Sequence, residues 1–366
     1  MRLFIILLIL NLVSALVAQS SLPTEGKEQS RSSVVIKIMP VYQNWSMDMD
    51  TSRSNYSQAS TLLFFQYPIN NRSTVSLQAA RAKTGGDMES INGLTDMKIG
   101  GNWRIPTLNS VFFVNVNLPS GKSKLSREQF ATSIIISNPV LQLQVPNFGQ
   151  GWMLSSGITW ANALSGRFVL GGGISYLYSA AYTALKGYDA YNPGNELLLT
   201  GGMDFRLNAS ATLSLDVIYT IYGKDKFGGV EVLAPGNKQV YSLQYRHFFG
   251  HDQLQVLLRY RTRARNQLIV LEQTNKIIPD NIDFLAHYHH RFSPIFFSSI
   301  IGEARHFRSS LAQLSQGTVF TIGVVSGIKL NSTFSLPLQL KYHFGTFREY
   351  ISLSGVEMSL AVQMML

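Results

Sequence analysis

Four arginines stand at every second position: Arg259, Arg261, Arg263 and Arg265. A guanidinium stays charged at any physiological pH and presents five N–H donors. A row of them either attracts anions or pairs with acids and carbonyls and fills space. Residues two apart share a side only on an extended strand, so the row requires a β-strand beneath it. Leu254, Val256, Leu258 and Tyr260 take the opposite face of that strand. A second cluster holds His287, His289 and His290. His287 and His289 share a strand face with Asp283, which offers metal-ligand chemistry, or hydrogen bonding to water if no metal is involved. No nucleophile can be set beside these histidines, so no catalytic set assembles and the chain is read as non-enzymatic, with no cofactor. Pro119–Ser123 ends like a phosphate-binding loop, but the glycine that motif needs five residues before Gly121 is Val116.

The elements that position these residues repeat from Arg31 to the end. Segments of about ten residues alternate apolar with polar or small side chains and stop at turn residues. In Leu197–Leu207, Leu197, Leu199, Met203, Phe205 and Leu207 oppose Thr200, Asp204 and Arg206. In Leu213–Tyr222, Leu213, Leu215, Val217, Tyr219 and Ile221 oppose Ser214, Asp216 and Thr220. In Val356–Leu366, Val356, Met358, Leu360, Val362, Met364 and Leu366 oppose Glu357, Ser359 and Gln363. Only 14% of the residues are charged, while 45% are hydrophobic. No internal stretch supplies the ~20 consecutive apolar residues of a transmembrane helix. A charge-poor chain of amphipathic strands fits a membrane barrel, with one strand face on lipid and the other on water. The absence of cysteine excludes a disulfide framework and a lipid anchor on cysteine.

Short and long connections alternate. Asn70–Arg72, Pro106–Asn109, Leu164–Gly166, Asn208–Ser210, Gly250–Asp252, Ser293–Pro294 and Asn331–Thr333 are tight turns. Longer polar loops fall near 48–56, 84–92, 119–150, 180–195, 224–237, 266–279, 307–317 and 346–350. The expected fold is an all-β, antiparallel, up-and-down transmembrane barrel of about sixteen strands, with fourteen as the alternative, both termini lying on the short-turn side. Arg2, apolar Leu3–Leu10 and small Ala15, Ala18 and Ser20 mark residues 1–20 as an export signal. Residues 21–33 are then a short periplasmic segment, and 34–366 the barrel. Such a chain belongs in the bacterial outer membrane, with lipid, a small solute and the barrel-assembly machinery as partners, and no nucleic acid.

A lipid-facing Arg near the midplane would cost ~2–4 kcal/mol, so the arginine row faces the lumen or climbs out at the rim, Arg265 and then Arg263 being the members open to the outer rim and its lipid phosphate. Lys37, Lys98, Arg104, Arg206, Arg246, Arg291, Arg305, Lys329 and Lys341 face inward too, against Asp96, Asp204, Asp216, Asp283, Glu303 and Glu357. The lumen is therefore expected to be basic and to favour anions. In the 119–150 connection, Ser126 and Gln129 have capping-box spacing, so a short helix is expected from Arg127. Ile134, Ile135, Ile136, Val140, Leu141, Leu143 and Val145 make that connection too apolar for water. It must pack on the lumen wall or on a neighbouring chain.

Two motifs carry a family resemblance. Gly93-Leu94-Thr95-Asp96, running into Met97–Arg104, and Asn117-Leu118-Pro119-Ser120-Gly121-Lys122 resemble strand-end turns of outer-membrane barrels of the meta-pathway phenol-degradation type, distant relatives of the long-chain fatty-acid transporters. The resemblance implies uptake of hydrophobic or aromatic molecules and carries over no binding residue. Two departures stand beside it: residues 21–33 leave no room for an N-terminal plug, and a basic lumen suits an anionic cargo better than a neutral one. The residues themselves point to a channel or transporter for small, amphipathic or anionic molecules. A non-transport barrel serving adhesion, envelope structure or a partner complex is the alternative.

Overall fold

The structure, a computed structural model, describes residues 33–49, 52–269, 272–276, 278–308, 316–347 and 351–366. The expected export signal lies outside the described residues. The wall runs Val35–Met49, Ser52–Asn70, Ser73–Gly86, Met97–Ile105, Ser110–Leu118, Met153–Ala163, Phe168–Ser179, Glu196–Arg206, Ala211–Tyr222, Lys238–Phe249, Asp252–Arg263, Asn281–Arg291, Phe296–Phe307, Gly317–Lys329, Phe334–Phe347 and Ile351–Leu360. Asn92–Leu94 heads the fourth of these and Val362–Met365 continues the last, so the eighteen-segment sheet is a barrel of sixteen antiparallel strands. It closes by pairing first strand with last, Val41 opposite Ser359 and Val35 opposite Met365. Val34 and Leu366 exchange two backbone hydrogen bonds at 2.8 and 2.9 Å, which sets the start and the end of the barrel wall at the short-turn rim.

All seven tight turns fall where the turn residues place them. Asn70, Asn208 and Asn331 each accept the amide two residues on through Oδ1, at 2.8 to 2.9 Å, so the side chain stands in for a backbone acceptor. One connection differs from expectation. Residues 48–49 and 52–56, expected in a loop, lie in strands of fifteen and nineteen residues, with Met49 opposite Ser52. Their outward side chains turn polar there, at Asn44, Ser46, Asn55 and Ser57, because the hairpin stands above the lipid.

The side-chain period places the faces. Ile38, Tyr42, Leu199, Met203, Leu258, Ile322, Leu340 and Met358 are exposed on the outer wall, where lipid would cover them. Their neighbours Gln43, Trp45, Gln58, Val240, Val319 and His343 are buried inside. Two inner aromatics lie flat on glycines. A Cβ on Gly355 would stand 2.7 Å from the Trp45 ring, and one on Gly327 would stand 2.2 Å from Phe297. A closed antiparallel barrel, apolar outside and polar inside, with tight turns at one rim and long loops at the other, is a bacterial outer-membrane barrel.

The long loops are ordered in two groups. Tyr191–Asn192, Asp225–Phe227, Val230–Ala234, Asn266–Leu268 and Gln273–Asn275 build a small five-stranded sheet over the outer mouth. Its hinge is Asp225, buried, accepting from Gly194 N at 2.9 Å and from the Tyr191 hydroxyl. The 119–150 loop instead turns inward. Its helix spans Arg127–Ile136 and starts on a capping box: Ser126 Oγ accepts from Gln129 N while Gln129 Oε1 accepts from Ser126 N. Ile136, Val140, Leu141, Leu143, Val145 and Phe148 are then buried against Trp45, Ala82, Phe307, Val319, Phe347 and Leu353. Of the two surfaces open to it, the loop has taken the lumen wall.

Candidate functional site

The arginine row begins inside the barrel and climbs to the outer loops. Asp283 sits beside Arg259 in register and ion-pairs with Arg261. Arg263 is buried; its Nε donates to Gly236 O at 3.0 Å and its guanidinium lies 4.5 Å over the Tyr222 ring. Arg265 has left the strand, which ends at Arg263, and is exposed in the outer loop. Of the two placements open to it, lumen or outer rim, Arg265 takes the rim. Just above the row, Asp280 accepts from Arg263 N at 3.3 Å and pairs with Lys276. Burial would raise the Asp280 carboxyl, but Lys276, the Thr262 hydroxyl and the Arg263 amide together hold it below its usual range.

Arg305, on the next strand but one, is 1% exposed and serves the inward loop. Its Nη1 donates to Pro139 O at 3.0 Å and Val140 O at 3.2 Å; its Nε stands 3.3 Å from Glu303 Oε1 as an ion pair outside hydrogen-bond geometry. Arg261, Arg263 and Arg305 are thus engaged by an acid, loop carbonyls and an aromatic ring. Arg259 is half-buried, and its Nε has no hydrogen-bond partner among the described residues. Its register row reads Asp216, Ser242, Arg259, Asp283, Arg305, with acids and bases alternating across the wall.

Two devices hold the loop. The first is Asp96, buried at the head of its strand. Its carboxylate accepts from Gly121 N at 2.8 Å, Gln150 N at 2.6 Å and Asn117 Nδ2 at 3.1 Å, so one side chain grips both ends of the 119–150 segment. Ser120 Oγ accepts from Met97 N and Lys122 N donates to Leu94 O, interlocking the two turns. A Cβ on Gly121 would meet Phe148 O at 2.0 Å, so that position needs glycine. The second is a pair of glutamines that copy a strand edge. Gln58 donates to Val145 O at 2.7 Å and accepts from Val145 N at 2.8 Å. Gln43 donates to Gln142 O at 3.1 Å and accepts from Gln144 N at 2.7 Å.

The remaining inward bases gather toward the tight-turn rim. Arg206 and Arg246 flank Thr212 in one row, about 10 Å apart at two strand spacings. Lys329, Ser335, Gln363 and Lys37 form another row. Arg104 lies two residues before the turn at Pro106, and Arg291 ends its strand five residues before the next begins and donates to Ser293 O and Pro294 O at 3.3 Å. Among the described acids, only Asp204 faces the lumen at this level. Lys238 and Glu196, unassigned by the sequence reading, are also inward and buried near the outer end; they fall at strand starts, where alternation has barely begun. His287 and His289 do share the inner face, but Asp283 is engaged with Arg261 and Asn281, and His289 Nδ1 bonds to Ser299 Oγ at 2.9 Å. No group of three or more candidate metal ligands occurs among the described residues.

No family model and no curated protein matches the chain. Solved structures do match. OpdQ of Pseudomonas aeruginosa is similar over 92% of this chain and 100% of its own, at 9% identity and a TM-score of 0.47. An outer-membrane channel from Pseudomonas putida F1 is similar over 94% and 99%, at 8% identity and 0.38. OccAB4 of Acinetobacter baumannii is similar over 92% and 99%, at 8% identity and 0.48. These findings correct the resemblance to the phenol-degradation and fatty-acid barrels: OpdQ and OccAB4, with OccK7 and OprD of Pseudomonas aeruginosa also among the matches, are Opd, Occ and OprD barrels and not fatty-acid transporters. The physical reason lies in the motifs. Gly93–Asp96 and Asn117–Lys122 hold the two ends of an inward loop, so they report loop anchoring.

Proposed function

We propose that this barrel is a channel for small anionic, amphipathic solutes, with its charge filter at the periplasmic mouth. One observation carries the reading: Lys37, Arg104, Arg206, Arg246, Arg291 and Lys329 face the lumen in that half, against Asp204. Cations with no acid partner among the described residues, set around a water-filled path, raise the local concentration of anions. Two cations about 10 Å apart repel by about 0.4 to 1.7 kcal/mol as the effective dielectric falls from 80 to 20. A permeating anion relieves that repulsion. Of the central row, Arg259 is the member left for solute, since Arg261 is paired with Asp283 while Arg263 and Arg305 hold the loops. Phe64, Phe113 and Phe297, half-buried on the inner face among these charges, would receive the apolar part of the solute.

Planar-bilayer reversal potentials in a salt gradient test this reading. The double variant Arg206→Gln, Arg246→Gln should lower the anion-to-cation permeability ratio at least twofold. An unchanged ratio refutes it. The inward loop favours a second reading, a barrel serving envelope structure or adhesion; folded protein with neither conductance nor solute flux in liposomes would establish that one instead.

A further inference from the structure

The outer wall carries a feature the channel does not use. Across the first three strands, the outward row at one level reads Tyr42, Ala59, Lys83, and the row next to it Pro40, Thr61, Arg81. Pro40, Ala59 and Thr61 are short, so the wall is low there. A groove of about 610 Å³ results, with Tyr42 at its side and Arg81 and Lys83 at its head. Both basic residues are exposed on the lipid side, since Ala82 and Thr84 between and beyond them are buried inside. Neither Arg81 nor Lys83 makes an ion pair or a side-chain hydrogen bond among the described residues.

Their height is defined by their neighbours. Below them the outer face is apolar: Val75, Leu77, Leu63 and Phe65. Above them it is polar: Asn44, Ser46, Asn55 and Ser57. The basic pair thus stands on the boundary between hydrocarbon and headgroups. Counting up from Ser73, Arg81 lies about 20 Å above the tight-turn end of its strand at ~3.3 Å per residue and ~40° tilt, near the top of a ~25 Å apolar band. A cation at that height costs far less than one at the midplane. An apolar trough headed by two free cations matches a lipid whose acyl chain fills the trough and whose phosphate meets the cations.

We infer that the groove headed by Arg81 and Lys83 binds a phosphorylated acyl lipid of the outer leaflet. The lipid lies outside the barrel, so this site is independent of the solute path. Native mass spectrometry of the intact barrel in neutral detergent, titrated with bisphosphorylated lipid A, tests it. One equivalent should be retained, and Arg81→Gln, Lys83→Gln should weaken retention at least tenfold. Thr61→Trp, which fills the trough and keeps both charges, should weaken it as well. Arg53→Gln is the control: Arg53 pairs with Asp48 above the groove at 3.2 Å, and its loss should leave binding unchanged. Heat-shifted gel mobility verifies that each variant is folded. Three results would overturn the site: retention unchanged in the double Gln variant, equal retention of the fully dephosphorylated lipid, or inorganic phosphate competing as well as the lipid.

Discussion

Replacing Asp96 by Ala removes the acceptor that holds both ends of the inward loop. Two backbone N–H donors, at 2.8 and 2.6 Å, and the Asn117 amide at 3.1 Å lose their carboxylate together. Hydrogen bonds to a charged group contribute about 1.5–3 kcal/mol each, so the two backbone bonds alone are worth about 3–6 kcal/mol. The middle of the loop is held differently. Ile136, Val140, Leu141, Leu143, Val145 and Phe148 are all at most 4% exposed, and each buried side chain of that size contributes about 1.5–3 kcal/mol. That sum exceeds the clamp, so the loop stays in the lumen while its ends loosen. The expected readout is faster amide exchange at Gly121 and Gln150, with protection kept at Val145, and noisier single-channel current at nearly the same mean conductance. Asp96→Asn keeps one acceptor oxygen and should fall between. If exchange at Gly121 and Gln150 and the current noise match the unaltered protein, the clamp is not what holds the loop ends.

Two further outcomes follow from the same packing. Gly121→Ala would bring a methyl to 2.0 Å from Phe148 O, so it should reproduce the loosened loop ends with Asp96 intact, read by the same exchange measurement. Trp45→Ala removes a buried ring that stacks on His343 at 4.8 Å and covers Gly355; a loss of about 3–5 kcal/mol should lower the temperature of the heat-induced gel-mobility shift.

Much of the architecture was legible because a barrel strand has a single rule. Alternation gave the faces of Leu197–Leu207 and Asp252–Arg263, and Asn, Gly and Pro marked every tight turn. The capping box at Ser126 and Gln129 announced the loop helix, and the run Ile134–Val145 announced that the loop could not face water. The misreadings have physical causes. Outward Arg53 and Asn55 look like loop residues because the rule of an apolar outer face ends where lipid ends. Arg265 keeps the period of the row, and only the end of the strand at Arg263 decides between lumen and rim. The partners of Arg263 and Arg305 come from Gly236, Pro139 and Val140, carbonyls that no side-chain pattern encodes. Asp96 was read as part of a family signature; its grip on Gly121 and Gln150 needs the fold to be seen.

Barrel closure depends on residues more than three hundred positions apart, and the inward loop spans the junction. Gln43 Nε2 donates both to Glu357 Oε2, across a separation of 314 residues, and to Gln142 O. Trp45 from the first strand and Leu353 from the last share one apolar cluster with Leu141 and Val145. The loop's docking surface therefore does not exist until the final strand arrives. During assembly the first strand waits with an unpaired edge, and such edges recruit wrong partners. Contacts this distant in sequence also form slowly. Loop docking is then the latch that follows zippering: it draws its binding surface from both sides of the seam, and reopening the seam would have to undo it. A barrel without residues 127–148 should still close, but it should open more readily at that one junction than at any other.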